Sequence, residues 1–141
     1  MDSTFKDGES ISLGGVTLVA HLSAGHTKGA TSFTTTVTEN GKSYRVGIMN
    51  MGSINPGVKM TGMPGYPAIA QDYANTFLAQ KDTKLDVFLA SHASQFKLHE
   101  KVKAAPAYSP DRFVDPKGYL AEVQRLEKLY IEQVAAEKAK K

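Results

Sequence analysis

Cysteine is absent from the 141-residue sequence, so neither a disulfide nor a thiolate metal ligand can form. No stretch approaches the roughly 18 consecutive apolar residues of a membrane-spanning helix. Residues 1–6 lack the apolar centre of a secretion signal, so we expect no signal peptide in this chain. The clustered basic and aromatic side chains of nucleic-acid-binding proteins are also lacking. We therefore expect neither nucleic acid nor a membrane as a partner.

What is present suits one ordinary globular domain. Hydrophobic residues make up 41% of the sequence, charged residues 22%, and the formal net charge is only +3. A chain of this length can bury one modest hydrophobic core. The sequence shows no internal repeat and no linker, so we expect a single domain over residues 1–141.

Alternating apolar and polar residues fill the first third of the chain. Residues 10–13 and 16–22 alternate on either side of Gly14-Gly15, and residues 32–38 and 44–49 flank Asn40-Gly41. Such dipeptides between alternating runs are typical of tight β-hairpins. The sequence therefore predicts an antiparallel meander with one apolar face that needs a cover. In the second run this face comprises Val16, Leu18, Ala20 and Leu22.

The remainder of the chain predicts one long loop, a buried strand and helices. Residues 50–67 are rich in glycine and proline and indicate a long functional or mobile loop. Its methionines, Met51, Met60 and Met63, either fill the core or line a pocket.

The helical periodicity is clearest in two segments, residues 68–81 and a final amphipathic helix that begins at Asp115-Pro116. Between them, residues 86–90 are nearly all apolar, as expected of a strand covered on both faces. A short helix is predicted over residues 98–103. This order predicts an α+β fold with helices on a sheet.

Two histidines lie where predicted strands end. His26 lies in the glycine-containing bend between two strand-like runs, and His92 follows the apolar strand at residues 86–90. Loops at strand ends often display functional groups, although an ordinary hydrogen-bonded histidine is an equally good interpretation of the pattern alone. His21, in the middle of a strand, and His99, on a predicted helix, fit structural or surface roles better.

The segments around the two histidines resemble one protein family. Gly25-His26-Thr27-Lys28-Gly29 resembles the Gly-His-Thr-x-Gly segment of the metallo-β-lactamase superfamily. The run Ala-Ser-His-Ala-Ser-Gln-Phe at residues 90–96 and Asn-Met-Gly-Ser at residues 50–53 are similar to subclass B3 enzymes, above all the GOB-type branch. The resemblance implies half of an αββα sandwich, with a mostly antiparallel sheet covered by helices on one face. It also implies a periplasmic or secreted protein that contributes to antibiotic resistance.

The resemblance assigns roles to four residues. His26 is expected to bind the first of two zinc ions and His92 the second, while Ser53 and Met51 are expected near the β-lactam substrate. Asp86 is expected to orient the strand that leads to His92. In the complete family enzyme, a zinc-bound hydroxide attacks the β-lactam carbonyl and the second zinc stabilises the departing nitrogen.

The main zinc motif of the family, His-x-His-x-Asp-His with Gln in place of the first His in the GOB-type branch, does not occur in this sequence. We therefore expect the chain to correspond to the C-terminal half of the fold. A catalytic zinc needs about three protein ligands, and the two histidines belong to different metals. The isolated chain is thus expected to bind zinc weakly or not at all and to lack catalysis.

The missing half also leaves an apolar sheet face without a cover. We expect either the N-terminal half or a second copy of the chain, in a homodimer, to pack there. Two other functions stay open at this point. One is a non-catalytic, self-associating half-domain, and the other is part of a related hydrolase such as a thioesterase or a lactonase.

Overall fold

The structure is a computed structural model that describes residues 4–103, 107 and 109–140. A single sheet has the strand order β1-β2-β3-β4-β5. Its strands are β1 (Ser10–Leu13), β2 (Val16–Leu22), β3 (Thr31–Glu39), β4 (Lys42–Met49) and β5 (Val87–Ala90). The helices are α1 (Ile69–Asp82), α2 (Leu98–Lys103) and α3 (Pro116–Lys138), with 3₁₀ turns at Ala93–Phe96 and Pro110–Phe113. Neighbouring strands are antiparallel except β4 and β5, which are parallel, so the predicted α+β class is confirmed.

Both predicted hairpins form with the expected backbone. Leu13 pairs with Val16 across Gly14-Gly15, whose φ angles are 56° and 81°. In the second hairpin the φ angles of Asn40 and Gly41 are 50° and 78°. Positive φ at both central residues is the type I′ geometry, whose twist matches that of the flanking strands. Glycine and asparagine tolerate this region, which explains why these dipeptides set the strand register.

The start of α3 also agrees with its sequence signal. The Asp115 side chain accepts a hydrogen bond from the Gly118 backbone N–H at 2.8 Å and caps the helix. Lys101 of α2 lies 3.0 Å from the same carboxylate. Burial alone would raise the pKa of Asp115, but the hydrogen bonds from Lys101 and from the Gly118 N–H outweigh it and lower that pKa. Asp115 therefore fastens α2 to the first turn of α3.

Helices α1 and α3 pack together over one face of the sheet. Their aromatic rings stack, with the Tyr73 centroid 6.1 Å from Phe77 and 5.8 Å from Tyr130. Phe88 of β5 lies beneath Tyr119, with ring centroids 5.4 Å apart. These contacts form the core between the helices and the sheet.

The structure decides between the two alternatives for the loop methionines. Met51 and Met60 are each 2% exposed and belong to the hydrophobic core, and the half-buried Met63 packs against it. All three therefore help to seat the long loop on the core, as flexible apolar side chains do in irregular gaps.

The other face of the sheet carries apolar side chains that the described helices leave uncovered. The strand registers place Phe33, Ile48 and Leu89 on this side, opposite to Phe88. Leu13 is 85% exposed, Leu22 53% and Ile48 46%. We call this surface the bare face. It comprises Leu13, Val16, Leu18, Leu22, Phe33, Val37, Val46, Ile48, Val87 and Leu89.

The prediction that both faces of β5 are covered is wrong, because only one face lies under the helices. Phe88 points under the helices and is 2% exposed, whereas Val87 and Leu89 lie on the bare face and are only half-buried. Because a strand alternates its side chains, an apolar sequence shows that both faces suit burial without showing that both are covered.

Among the helices that the structure describes, none is long and apolar enough to cross a membrane.

The long loop over residues 50–68 is tied to the far end of α3 by Glu137. Its carboxylate accepts hydrogen bonds from the backbone N–H of Met60 at 3.0 Å and of Thr61 at 2.7 Å, and from the Thr61 hydroxyl at 2.8 Å. Gln133 donates a further hydrogen bond at 2.9 Å. These donors, with Gln133 the strongest, lower the pKa of Glu137 to about 2.

We predict that Glu137→Gln lowers the free energy of unfolding by about 1–2 kcal/mol at neutral pH, because a charge-assisted acceptor is lost. The folded-state pKa lies below the ordinary value of 4.5. The contribution is therefore complete above pH 4.5 and is lost as the pH falls towards 2. Denaturant unfolding between pH 2 and 7 measures the effect. Glu132→Gln, on the exposed side of the same helix, is the control. Equal losses in the two variants would contradict the role of Glu137.

Candidate functional site

Three segments that carry the candidate residues leave the sheet at the same edge. Leu22 at the end of β2 pairs with Thr31 at the start of β3, and Met49 at the end of β4 pairs with Ala90 at the end of β5. The loop with His26, the loop with Ser53 and the turn with His92 all begin here. The register alone thus brings the predicted site residues to one end of the sheet.

The loop that carries His26 is fixed to α1. The Thr76 hydroxyl donates to the Ala24 carbonyl at 2.7 Å, and the buried hydroxyls of Ser23 and Ser32 lie 2.7 Å apart. Gly25 has a φ of +136°, and a Cβ at this position would lie 2.9 Å from Cγ of the Tyr73 ring. The glycine is therefore needed both for the backbone path and for the close approach to the ring.

A backbone carbonyl orients the His26 ring. Nδ1 lies 2.8 Å from the Ser53 carbonyl oxygen. Because a carbonyl can only accept, Nδ1 carries the proton and donates, which leaves Nε2 with its lone pair in the neutral ring. Metal-binding histidines are commonly held in this way, with one nitrogen donating to a carbonyl and the other facing the ion. The half-buried ring of His26 thus has the form of a metal ligand.

Tyr73 supports the same carbonyl from the other side. Its hydroxyl donates to the Ser53 oxygen at 2.9 Å. Burial raises the pKa of Tyr73 to about 12, so this hydroxyl keeps its proton and remains a donor at neutral pH. The Ser53 carbonyl is therefore held by two donors, and the backbone of the long loop is joined to both α1 and the His26 loop.

The two residues predicted near the substrate lie in different surroundings. Ser53 is half-buried at the edge of the sheet beside His26. Met51 is 2% exposed in the core, and a Cβ on its neighbour Gly52 would lie 2.7 Å from the Phe77 ring. The geometry thus gives Met51 a packing role. Contact of either side chain with a substrate stays a prediction.

Lys28 extends over the loop next to His26. Its Nζ lies 5.5 Å from the centroid of the Tyr66 ring, and the Tyr66 hydroxyl donates to Asp72 at 2.8 Å. Burial, followed by the hydrogen bond to Asp72, raises the pKa of Tyr66 to about 12. This contact is a second tie between the His26 loop and the long loop, since a cation is attracted to the face of an aromatic ring.

His92 is exposed and is the second residue after β5. Its backbone N–H lies 3.4 Å from the side-chain oxygen of Gln95, and its carbonyl accepts from the Gln95 N–H at 3.0 Å. The turn is anchored by Phe96, which is 7% exposed and meets Phe88 edge to face at 6.4 Å. Asp86, expected to orient this strand, accepts from the Arg45 N–H at 2.7 Å and so fixes the start of β5 against β4.

The remaining histidines have other positions. His21 Nε2 lies 2.7 Å from the Thr34 hydroxyl in the middle of the sheet, and His99 is exposed on α2. Over residues 4–103, 107 and 109–140, no group of three or more His, Cys, Asp or Glu side chains is arranged to hold a metal ion. The described residues therefore contain no such group of ligands, and metal binding by His26 and His92 stays a prediction.

Sequence reasoning did not single out Tyr73 and Thr76 as residues that hold the His26 loop. Both lie on the helical face that predicts core packing, and only the fold shows that their hydroxyls reach backbone carbonyls at the sheet edge. Tyr73 lies four residues after Ile69 in the helix predicted over residues 68–81, and both side chains are buried.

Solved structures of β-lactamases are similar to this chain in both sequence and fold. A β-lactamase from Chitinophaga pinensis is 40% identical with a TM-score of 0.90 over 95% of this chain. The class B3 di-zinc metallo-β-lactamase LRA-12 from an Alaskan soil metagenome is 40% identical with a TM-score of 0.87 over 94% of this chain. GOB-18 from Elizabethkingia meningoseptica is 41% identical with a TM-score of 0.89 over 96% of this chain. No protein-family model matches the chain.

The chain spans about half the length of these proteins. It covers 51% of the Chitinophaga enzyme and 50% each of LRA-12 and GOB-18. The similarity to the GOB-type branch that the sequence indicated is therefore confirmed over nearly the whole of this chain, and over half of those enzymes.

We predict that Gly25→Ala destabilises the chain by about 1–3 kcal/mol more than Gly57→Ala. Both glycines have positive φ, but only at Gly25 would a Cβ meet another residue, the Tyr73 ring. The comparison therefore separates the effects found only at Gly25, the Tyr73 contact and a φ of +136°, from the milder strain of the +82° at Gly57. Denaturant unfolding at neutral pH measures the difference, and equal losses in the two variants would show that the Tyr73 contact does not constrain the loop.

Proposed function

This chain is related, over nearly its whole length, to half of a subclass B3 metallo-β-lactamase, and from that premise we propose that it forms the C-terminal half of a zinc-dependent β-lactam hydrolase. The observation that carries the proposal is the orientation of His26, whose Nδ1 is bound to the Ser53 carbonyl so that Nε2 can face an ion. The identity of about 40% to β-lactamases favours a β-lactam over a thioester or a lactone as the substrate.

The donor set fits zinc only in part. Imidazole is a good zinc ligand, and His26 and His92 lie at the same edge of the sheet. We propose that each serves a different ion, so each ion draws its other ligands from outside this chain. In the part of the chain that the structure describes, neither histidine belongs to a group of three or more side chains that could hold a metal ion. We therefore assign no catalytic step to this chain alone, and Ser53 at the same edge is a candidate contact for the substrate.

The exposure of apolar side chains on the bare face supports the proposal that a partner packs there. Its apolar side chains come from all five strands and include Val16, 54% exposed, and Val37, 45% exposed. Exposed apolar surfaces of this kind mark interfaces or cause aggregation. The proposed partner is the N-terminal half of the same fold, which would also supply the missing ligands.

A second candidate function is a non-catalytic half-domain that associates with itself. The bare face favours this function as well, since a second copy of the chain offers the same apolar surface in a homodimer. The two candidates differ in one respect, namely whether a metal centre is completed when the bare face is covered.

The test is hydrolysis of a chromogenic β-lactam in the presence of zinc, with this chain alone and with a fragment that supplies the other half of GOB-18. We expect no hydrolysis by this chain alone and measurable hydrolysis by the mixture. His26→Ala should abolish the activity of the mixture, because the ring supplies a metal ligand. His99→Ala is the matched control, since His99 is exposed on α2 and is not a predicted ligand, and should leave the activity unchanged.

Two results would contradict the proposal. One is tight zinc binding and hydrolysis by the lone chain, which would mean that its own donors complete a metal centre. The other is a stable complex with the GOB-18 fragment that binds zinc and lacks activity, which would favour the non-catalytic half-domain.

A further inference from the structure

A cavity of about 370 Å³ lies at the other end of the sheet from His26 and His92. Its wall includes Asp86, just before the first residue of β5, whereas His92 follows the last residue of that strand. The four residues of β5 and Ser91 therefore lie between Asp86 and His92, and β5 alone spans roughly 13 Å at the usual rise per residue. We call this cavity the basic cavity, and it does not depend on the proposed function.

Cationic residues from three elements line the basic cavity. Arg45 comes from β4, Lys84 from the connection between α1 and β5, and Lys117 from the first turn of α3. No ion pair is formed by these three side chains with the residues that the structure describes.

The other charged residues of the wall are already engaged. Lys81 is paired with Glu127 at 2.6 Å. Asp86 accepts from the Arg45 backbone N–H at 2.7 Å, and its own N–H donates to the Arg45 carbonyl at 2.9 Å. The net charge of the wall is therefore positive. Three unpaired cationic residues line it together with one carboxylate, which accepts a hydrogen bond from the backbone.

The floor of the basic cavity is apolar. Leu85 and Tyr119 are 5% and 3% exposed, so packing in the core holds their side chains in place. Leu120 of α3 is the third apolar residue of the floor. The Tyr119 hydroxyl is turned away, because it donates to the Gln80 carbonyl at 2.9 Å. A volume of this size lies within the usual range for small-molecule sites, in which apolar surface combines with a few polar groups.

We propose that the basic cavity binds a small phosphate monoester with an apolar group, such as an aryl phosphate. A phosphate carries nearly two negative charges at neutral pH and several acceptor oxygens, which suit a wall with three unpaired cationic residues. The apolar group covers Leu85, Tyr119 and Leu120. A carboxylate offers one charge and two oxygens, and so it leaves part of the cationic rim unpaired.

The experiment uses phenyl phosphate, inorganic phosphate and benzyl alcohol as probes. Binding is measured by calorimetric titration and by amide chemical shifts of the isotope-labelled protein. We expect saturable shifts at Lys84, Leu85 and Tyr119 with phenyl phosphate. Inorganic phosphate and benzyl alcohol, which each lack one half of the proposed chemistry, should bind roughly tenfold or more weakly.

The double variant Lys84→Gln/Lys117→Gln should weaken phenyl phosphate binding by roughly tenfold or more, because two charge-assisted contacts are lost. Lys59→Gln is the control, since Lys59 is an exposed lysine in the loop over residues 50–68. Equal weakening by the control, equal affinity for inorganic phosphate, or shifts that lie outside the basic cavity would overturn the proposal. Hydrolysis of a β-lactam plays no part in this readout, so the two proposals can fail separately.

Discussion

A sheet with one covered face and one apolar uncovered face is the constraint on which the rest of this structure depends. Helices α1 and α3 cover the side that carries Phe88, and they form the core with Tyr73, Phe77 and Tyr119. The opposite side holds Ile48 and Leu22 at about half exposure. Burial of apolar surface is favourable by about 25 cal/mol per Å², so such a face gains stability from any partner that matches its shape. A partner on this face would therefore add to the stability that the helix-covered core supplies.

The candidate site is organised by the covered side of the sheet and not by the bare face. Tyr73 and Thr76 extend from α1 to the carbonyls of Ser53 and Ala24, and these bonds fix the loop that carries His26. The orientation of the imidazole is thus set within this chain before any partner is present. Functional groups held by rigid elements and their hydrogen bonds are positioned more accurately than groups on free loops. The residues that the structure describes contain no group of three or more potential metal ligands, and for this reason we propose catalysis only for the assembled protein.

Local signals in the sequence were sufficient for the hairpins and the helix start. Gly14-Gly15 and Asn40-Gly41 adopt the positive φ angles that the pattern predicts, and Asp115 caps α3. These features depend on a few neighbouring residues. The uncovered side of β5 and the burial of Met51 depend on which elements pack on the sheet, and that information is distributed over the whole chain. The contact between His26 and Ser53 joins residues 27 positions apart, so no short pattern could indicate it.

The central claim is that the bare face requires a partner, and sedimentation of the purified chain at about tens of micromolar tests it most directly. The account predicts dimers or larger assemblies for the wild-type chain. It predicts a shift to monomers for Ile48→Lys, which places a charge on the bare face. Leu78→Lys, at an exposed position of α1 that is 61% exposed, should keep the wild-type assembly. A wild-type chain that is folded and monomeric at this concentration would contradict the account.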